Sequence, residues 1–289
     1  MKFKGLIKKT PTLIFFLIIL SITSTCFADF RFVVMGDSRG NDDGINTEIF
    51  RTILEKTEGD KPDFIVFVGD LITGSKHTDT HRDRLLKWKD MVEEFAIPIY
   101  IVVGNHEIES ETSEGILQSI FKMPENGPRD LKGLTYSFDY EDAHFVIVNT
   151  DRYKDSHRVG SNQLEWLKRD FEKNKEKSIF VFGHEPAFPM YSHTGSSLDR
   201  YPVERDELWN IFKEYGVAIY FCGHEHLYNR SNHDGVYQVI SGGAGASLGY
   251  QPEEGGFYHY VIVDVRNDGI CEIRVKGLGG KVKDRFEIN

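Results

Sequence analysis

Cysteine is scarce in this chain: three in 289 residues, one of them (Cys26) in an N-terminal segment of distinct character. That excludes a scaffold built on disulfides. The other two, Cys222 and Cys271, lie in apolar, strand-like contexts and read as buried thiols. Export would permit a disulfide, and the sequence does not decide pairing. Low-complexity tracts, internal repeats and heptad seams are absent, which excludes solenoids and coiled coils. Basic clusters are also missing after the first residues. The net charge of −10 therefore repels nucleic acid, and no nucleic-acid partner is expected. No linker-like gap divides the chain, and its length can bury a full core.

The N-terminus is the exception. Lys2, Lys4, Lys8 and Lys9 precede the apolar stretch "TLIFFLIILSI", which closes at "TCFA". A basic segment, an apolar stretch and a small residue at Ala28 read as a secretory signal over residues 1–28, with a single domain over 29–289. The unbroken apolar run Leu13–Leu20 is shorter than the roughly 20 residues a span needs. An uncleaved anchor is the alternative, but no stable membrane span is expected after removal. Thr23 and Thr25 fit a lipid-attachment signal at Cys26 poorly. Loss of these four lysines takes the charge from −10 to −14. The protein is expected to be exported, to the periplasm or the exterior.

Beyond it, apolar β-rich runs alternate with helical patterns. "FRFVVMG", "DFIVFVGD", "PIYIVVGN", "SIFVFGHE" and "VAIYFCGHEH" read as buried strands. "GINTEIFRTILEKT" and "DRLLKWKDMVEEF" have helical spacing, and a shorter helix is expected at 113–121. "LTYSFDY" and "AHFVIVNTD" read as a hairpin with a polar turn at Glu141-Asp142. "SNQLEWLKRDFEKN" reads as a helix capped by Ser161 or Asn162. "PVERDELWNIFKEY" reads as a helix with Pro202 near its start. From Tyr228 onward strands dominate. This order predicts an α/β fold, a layered sandwich with two mixed sheets between helices.

Five of the apolar strands end in glycine plus a polar residue: Gly36-Asp37, Gly69-Asp70, Gly104-Asn105, Gly183-His184 and Gly223-His224. In open α/β sheets, ligands sit beyond such carboxyl ends. Asp37, Asp70, Asn105, His184, His224 and His226 together form an oxygen-and-nitrogen donor set. It suits two divalent or trivalent cations of intermediate hardness, Mn, Fe or Zn. Six donors exceed what one catalytic zinc takes from protein, and two ions can share a carboxylate.

"GDSRG", "GDLITG", "GNHE", "GHEP" and "GHEH", in this order over residues 36–226, resemble the calcineurin-like metallophosphoesterase family. "GHEPAFPMY" resembles its purple-acid-phosphatase-like members in particular. Each motif alone is weak, but five in order at strand ends are specific. The resemblance implies a four-layer α/β/β/α sandwich with a dinuclear site at the strand ends. It implies an exported phosphoesterase that hydrolyses small phosphate monoesters by in-line attack of a metal-bound hydroxide. A phosphodiesterase or nucleotidase of the same chemistry is the first alternative. A degenerate one-metal binding protein is the second, and the intact His106 and His226 argue against it. By the same resemblance Asp70 would bridge both metals. Asn105, His184 and His224 would complete the second metal, and Asp37 and His226 would hold the first. His106 would bind the phosphate or protonate the leaving oxygen.

Two positions depart from the family. Common members have histidine where Arg39 stands, and purple acid phosphatases have tyrosine where Thr73 stands. Arg39 has three readings: a clamp for the substrate phosphate, a charge that partly replaces the first metal, or an ion pair with Asp37 or the Asp42-Asp43 run. A phosphate clamp is expected. His77, His81, His157, His233 and His259 read as surface or packing residues, and His144 as structural. The loop 189–197 either rims the substrate pocket through Tyr191 and His193 or is a solvated loop. The glycine-rich 241–250 lacks a P-loop lysine and reads as a loop edging the site.

Overall fold

In a computed structural model, residues 30–40, 43–266 and 268–288 are described. The expected signal segment, Cys26 and Asp42 lie outside the described residues. β1 (Phe30–Met35) is buried along nearly its whole length. Its side chains alternate between two apolar environments: Val33 and Met35 face one core, Phe32 and Val34 another. A strand covered on both faces carries no polar alternation, so it reads as a continuous apolar run.

β1 is flanked by β2 (Phe64–Phe67), which pairs with β3 (Ile99–Ile101). On its other side lie β10 (His259–Val265), β11 (Cys271–Gly277) and β12 (Val282–Ile288). The order is β12-β11-β10-β1-β2-β3, with β1, β2 and β3 parallel and the rest antiparallel. The second sheet contains β4 (Tyr136–Tyr140), β5 (Ala143–Ile147), β6 (Ser178–Phe182), β7 (Ile219–Cys222), β8 (Tyr228–His233) and β9 (Val236–Ser241). Its order is β4-β5-β6-β7-β9-β8, again mixed.

α1 (Thr47–Asp60), α2 (Thr78–Glu93) and α3 (Ser113–Ile120) bury Phe50, Leu85, Trp88 and Leu117 against the first sheet. α4 (Ser161–Asn174) and α5 (Pro202–Glu214) bury Leu167, Phe171, Trp209 and Phe212 against the second. Between the sheets lies a phenylalanine-rich layer. Phe32 stacks on Phe64 at 5.5 Å and meets the edge of Phe145 at 5.2 Å. Each such ring contributes about 1.5–3 kcal/mol by burial. The four-layer α/β/β/α sandwich is therefore present, and Cys222 and Cys271 are free, buried thiols.

Several boundaries differ from the sequence reading. α4 is capped by Gly160, not by Ser161 or Asn162, and no side chain caps it. Tertiary contacts set its start: Gln163 bonds the Asn149 backbone in both directions and accepts from the Thr135 hydroxyl. α2 begins at Thr78 rather than at Asp83, because buried His81 receives the Ser75 N–H within a stretch that has no apolar period. The expected Glu141-Asp142 hairpin turn is present, with Tyr140 paired to Ala143 and Glu141 in the left-handed region.

Candidate metal centre

β1, β2 and β3 are parallel neighbours in one sheet, and β6 and β7 are parallel neighbours in the other. Their carboxyl ends therefore bring the five glycine-plus-polar tips to one place. The turns are tight. Asp37 (φ 63°), Asp70 (φ 54°) and His224 (φ 68°) all occupy the left-handed region, a strain that concentrates at functional sites. Glycine is required beside them. A Cβ on Gly69 would strike the His184 ring, and one on Gly223 would strike the Asp37 carboxylate.

One donor group gathers Asp70, Asn105, His184 and His224. Asn105 Oδ1 lies 3.1 Å from His184 Nε2 and 3.0 Å from His224 Nδ1. The two ring nitrogens are 3.2 Å apart, and Asp70 Oδ1 is 3.3 Å from His184 Nε2. Donors held about 2.0–2.2 Å from one ion lie roughly 3.0–3.6 Å from each other, so these spacings fit the edges of a coordination shell. A second group gathers Asp37, Asp70 and His226, with His226 Nε2 3.6 Å from Asp37 Oδ1. Asp37 Oδ1 is buried without a hydrogen-bond partner.

The imidazoles are oriented by their far nitrogens. His184 Nδ1 faces the Val68 carbonyl at 2.8 Å, His224 Nε2 the Ser196 carbonyl at 3.2 Å, and His226 Nδ1 the Ser247 carbonyl at 2.9 Å. A neutral ring has one N–H, and each carbonyl requires it on the far atom. All three lone pairs then point inward. Burial pushes the pKa of His224 well down, helped by His184. Burial and the Arg39 charge push His226 down to about 4. Both rings are thus neutral at neutral pH. Burial and the Asp70 charge raise Asp37 well above the usual carboxylate range. Burial acts in the same direction on Asp70, but His184, His106 and Arg39 outweigh it and hold that carboxyl well below the range. Acceptors converging in a buried space suit a cation, and the residues present fit one.

Arg39 lies against the second group. Its Nε is 3.3 Å from Asp70 Oδ2, and its Nη2 donates to His226 Nε2 at 3.3 Å. Asp43 is ion-paired with Lys87 instead. The Thr73 hydroxyl donates to the Gly40 carbonyl. His106 stands at the rim, its backbone N–H bonded to Asp70 Oδ1 at 3.1 Å and its Nε2 3.8 Å from Asp70 Oδ2.

Three glutamates in the same motifs escaped the sequence reading, although each directly follows a histidine there. Glu107 is fully buried and accepts from the backbone of Asp70 (2.9 Å), Gly104 (2.9 Å) and Ile72 (3.3 Å). It ties the tip carrying Asp70 to the tip carrying Asn105. Glu225 accepts from the N–H groups of Met190 and Tyr191, each at 2.7 Å. It holds the 189–197 loop so that the His193 ring rests 3.9 Å from that of His224. The third, Glu185, faces His157. The glycine-rich loop also edges the centre, since Ser247 orients His226 and the Ala246 N–H bonds the Asp37 carbonyl.

A family model described as calcineurin-like phosphoesterase matches residues 30–228. Purple acid phosphatase 23 of Arabidopsis thaliana is 27% identical over 217 residues, 65% of this chain and 46% of that protein. Fe(3+)-Zn(2+) purple acid phosphatase 12 of the same plant is 23% identical over 191 residues, 62% of this chain and 39% of that protein. The structure of purple acid phosphatase PPD1 from yellow lupin (Lupinus luteus) seeds superposes with a TM-score of 0.73 at 19% identity. It covers 89% of this chain and 53% of the lupin chain. The chain thus spans about half the length, or less, of these relatives. At that identity the superposition shows the fold.

Proposed function

Because the chain belongs to the calcineurin-like phosphoesterase family, we propose that it is a metal-dependent hydrolase of small phosphate monoesters. The observation that carries this reading is the orientation of three imidazoles by backbone carbonyls, which aims their lone pairs at buried oxygen donors. Asp37, Asp70 and His226 would hold the first cation, and Asp70, Asn105, His184 and His224 the second. The mixed oxygen and nitrogen donors suit Mn, Fe or Zn. When bound, such cations supply Lewis-acid charge and make water nucleophilic near neutral pH.

The chain's own groups do the rest. The Asp37 and Asp70 carboxylates balance the cation charge. His106, partly exposed at the rim, is placed to hydrogen-bond the phosphate or to give its proton to the leaving oxygen. Arg39 presents a planar, always-charged fork to the phosphoryl oxygens. His193, packed on His224, borders the entrance. Among the described residues no helix is long and apolar enough to cross a membrane. Residues 1–28 serve as an export signal for a single domain over 29–289.

Arg39 supports a second reading of the metal content. It donates to the His226 lone pair that a first-site cation needs. The Asp70–Asn105–His184–His224 site is then the tighter one, and the other fills only as the guanidinium turns away. Turnover of an aromatic phosphate monoester, beside the matching diester, tests the function. Activity lost on chelation and restored by Mn, Fe or Zn is expected. No turnover of either ester with any of these metals or Mg would defeat it.

A further inference from the structure

The three motif glutamates differ in one respect. Glu107 and Glu225 use both carboxylate oxygens on backbone N–H groups. Glu185 does not. Its Oε1 lies 2.6 Å from His157 Nδ1, while its Oε2 is buried without a partner. Asp151 repeats the pattern: Oδ2 accepts the Thr150 hydroxyl at 2.8 Å, and Oδ1 is buried and bare. Both residues are fully buried. They follow β5 and β6, parallel neighbours, so their segments lie side by side. One donor atom from each of Asp151, His157 and Glu185 lies within 4.8 Å of the others. Among the described residues neither carboxylate has an ion pair with lysine or arginine. Two buried carboxyls that approach each other beside one imidazole are costly unless a cation or a shared proton lies between them.

We propose that Asp151, His157 and Glu185 form a further cation site, separate from the strand-tip centre, for a divalent transition cation such as zinc or manganese. Two carboxylates and an imidazole match the donor preferences of these ions. The buried oxygens fix two corners. His157, with about a quarter of its side chain exposed, supplies the third and opens a path from solvent. A bound ion would fasten the segment after β5 to the tip that carries His184. The site does not depend on the function proposed above.

The test is zinc content per chain after loading and desalting, in the wild type, Asp151→Asn, His157→Ala and His224→Ala. Asp151→Asn and His157→Ala are each expected to retain one zinc fewer than the wild type. His224→Ala is expected to lose zinc at the strand tips and keep this one. Equal zinc in the wild type and in folded Asp151→Asn and His157→Ala overturns the proposal, and the two carboxyls then share a proton. A zinc-edge anomalous map of the wild type needs no variant. A peak between Asp151 and Glu185 supports the site, and its absence overturns it. Peaks at His184 and His224 in the same map report separately on the strand-tip centre.

Discussion

Replacing Arg39 with alanine separates the two tasks proposed for that side chain. The guanidinium Nε stands 3.3 Å from Asp70 Oδ2, and Nη2 stands 3.3 Å from His226 Nε2. At an effective dielectric of about 20, a full charge pair at that distance is worth about 5 kcal/mol. Roughly a third of the Arg39 side chain is exposed, so screening reduces the net competition to about 1–3 kcal/mol. A first-site cation must displace that interaction. Arg39→Ala should therefore tighten Mn2+ at the first site by about 5- to 140-fold, at 1.4 kcal/mol per decade. The same change removes a charge-assisted hydrogen bond to the substrate phosphate, worth about 1.5–3 kcal/mol. KM for the aromatic ester should rise by about 10- to 100-fold at saturating metal. Calorimetric titration of the metal-free protein with Mn2+ reads the first effect, and steady-state kinetics reads the second. Unchanged Mn2+ affinity together with unchanged KM refutes the reasoning and leaves Arg39 a structural ion pair.

Glu107→Ala should leave three buried N–H groups unsatisfied, at about 1–3 kcal/mol each. At about 2–4 °C per kcal/mol for a chain of this size, Tm should fall by on the order of 10 °C, and metal content should fall with it. A thermal melt with unchanged Tm would show that the two tips are held by something else. His144 bridges β4, β5 and α4, its Nδ1 2.7 Å from Asp139 and its Nε2 2.8 Å from Asp170. Burial lowers its pKa, but the bonds to Asp170 and Asp139 outweigh this and raise it above 6.5. A raised folded pKa gives stability that is complete below the unfolded value and lost as pH rises through the folded one. The Tm advantage of the wild type over His144→Gln should therefore be largest well below pH 6.5 and shrink as pH rises above it; a pH-independent difference would contradict this.

The layers and the convergence of the strand-tip donors were legible for a shared reason. Strands buried on both faces leave continuous apolar runs, and five of these runs stop at a glycine followed by a polar side chain. Asp37, Asp70, Asn105, His184 and His224 could thus be gathered without coordinates. What the sequence hid was set by tertiary contact. The start of α4 follows from Gln163 bonding Asn149, not from a capping residue. The position of Arg39 depends on Asp70 and His226, which are 31 and 187 residues away in the chain. Asp151 and Glu185 look like ordinary turn acids until the parallel pairing of β5 and β6 sets their segments side by side. His157, read as a surface or packing residue, faces them.

The most direct test of the strand-tip centre is metal content and ester turnover measured on the same samples of wild type, His184→Ala and His224→Ala. Each variant removes an inward-facing lone pair. Metal bound at the strand tips and turnover should fall together in both variants, with the fold retained by circular dichroism. Variants that keep the wild type's metal content and turnover would contradict the account, because the imidazoles would then be oriented for packing alone.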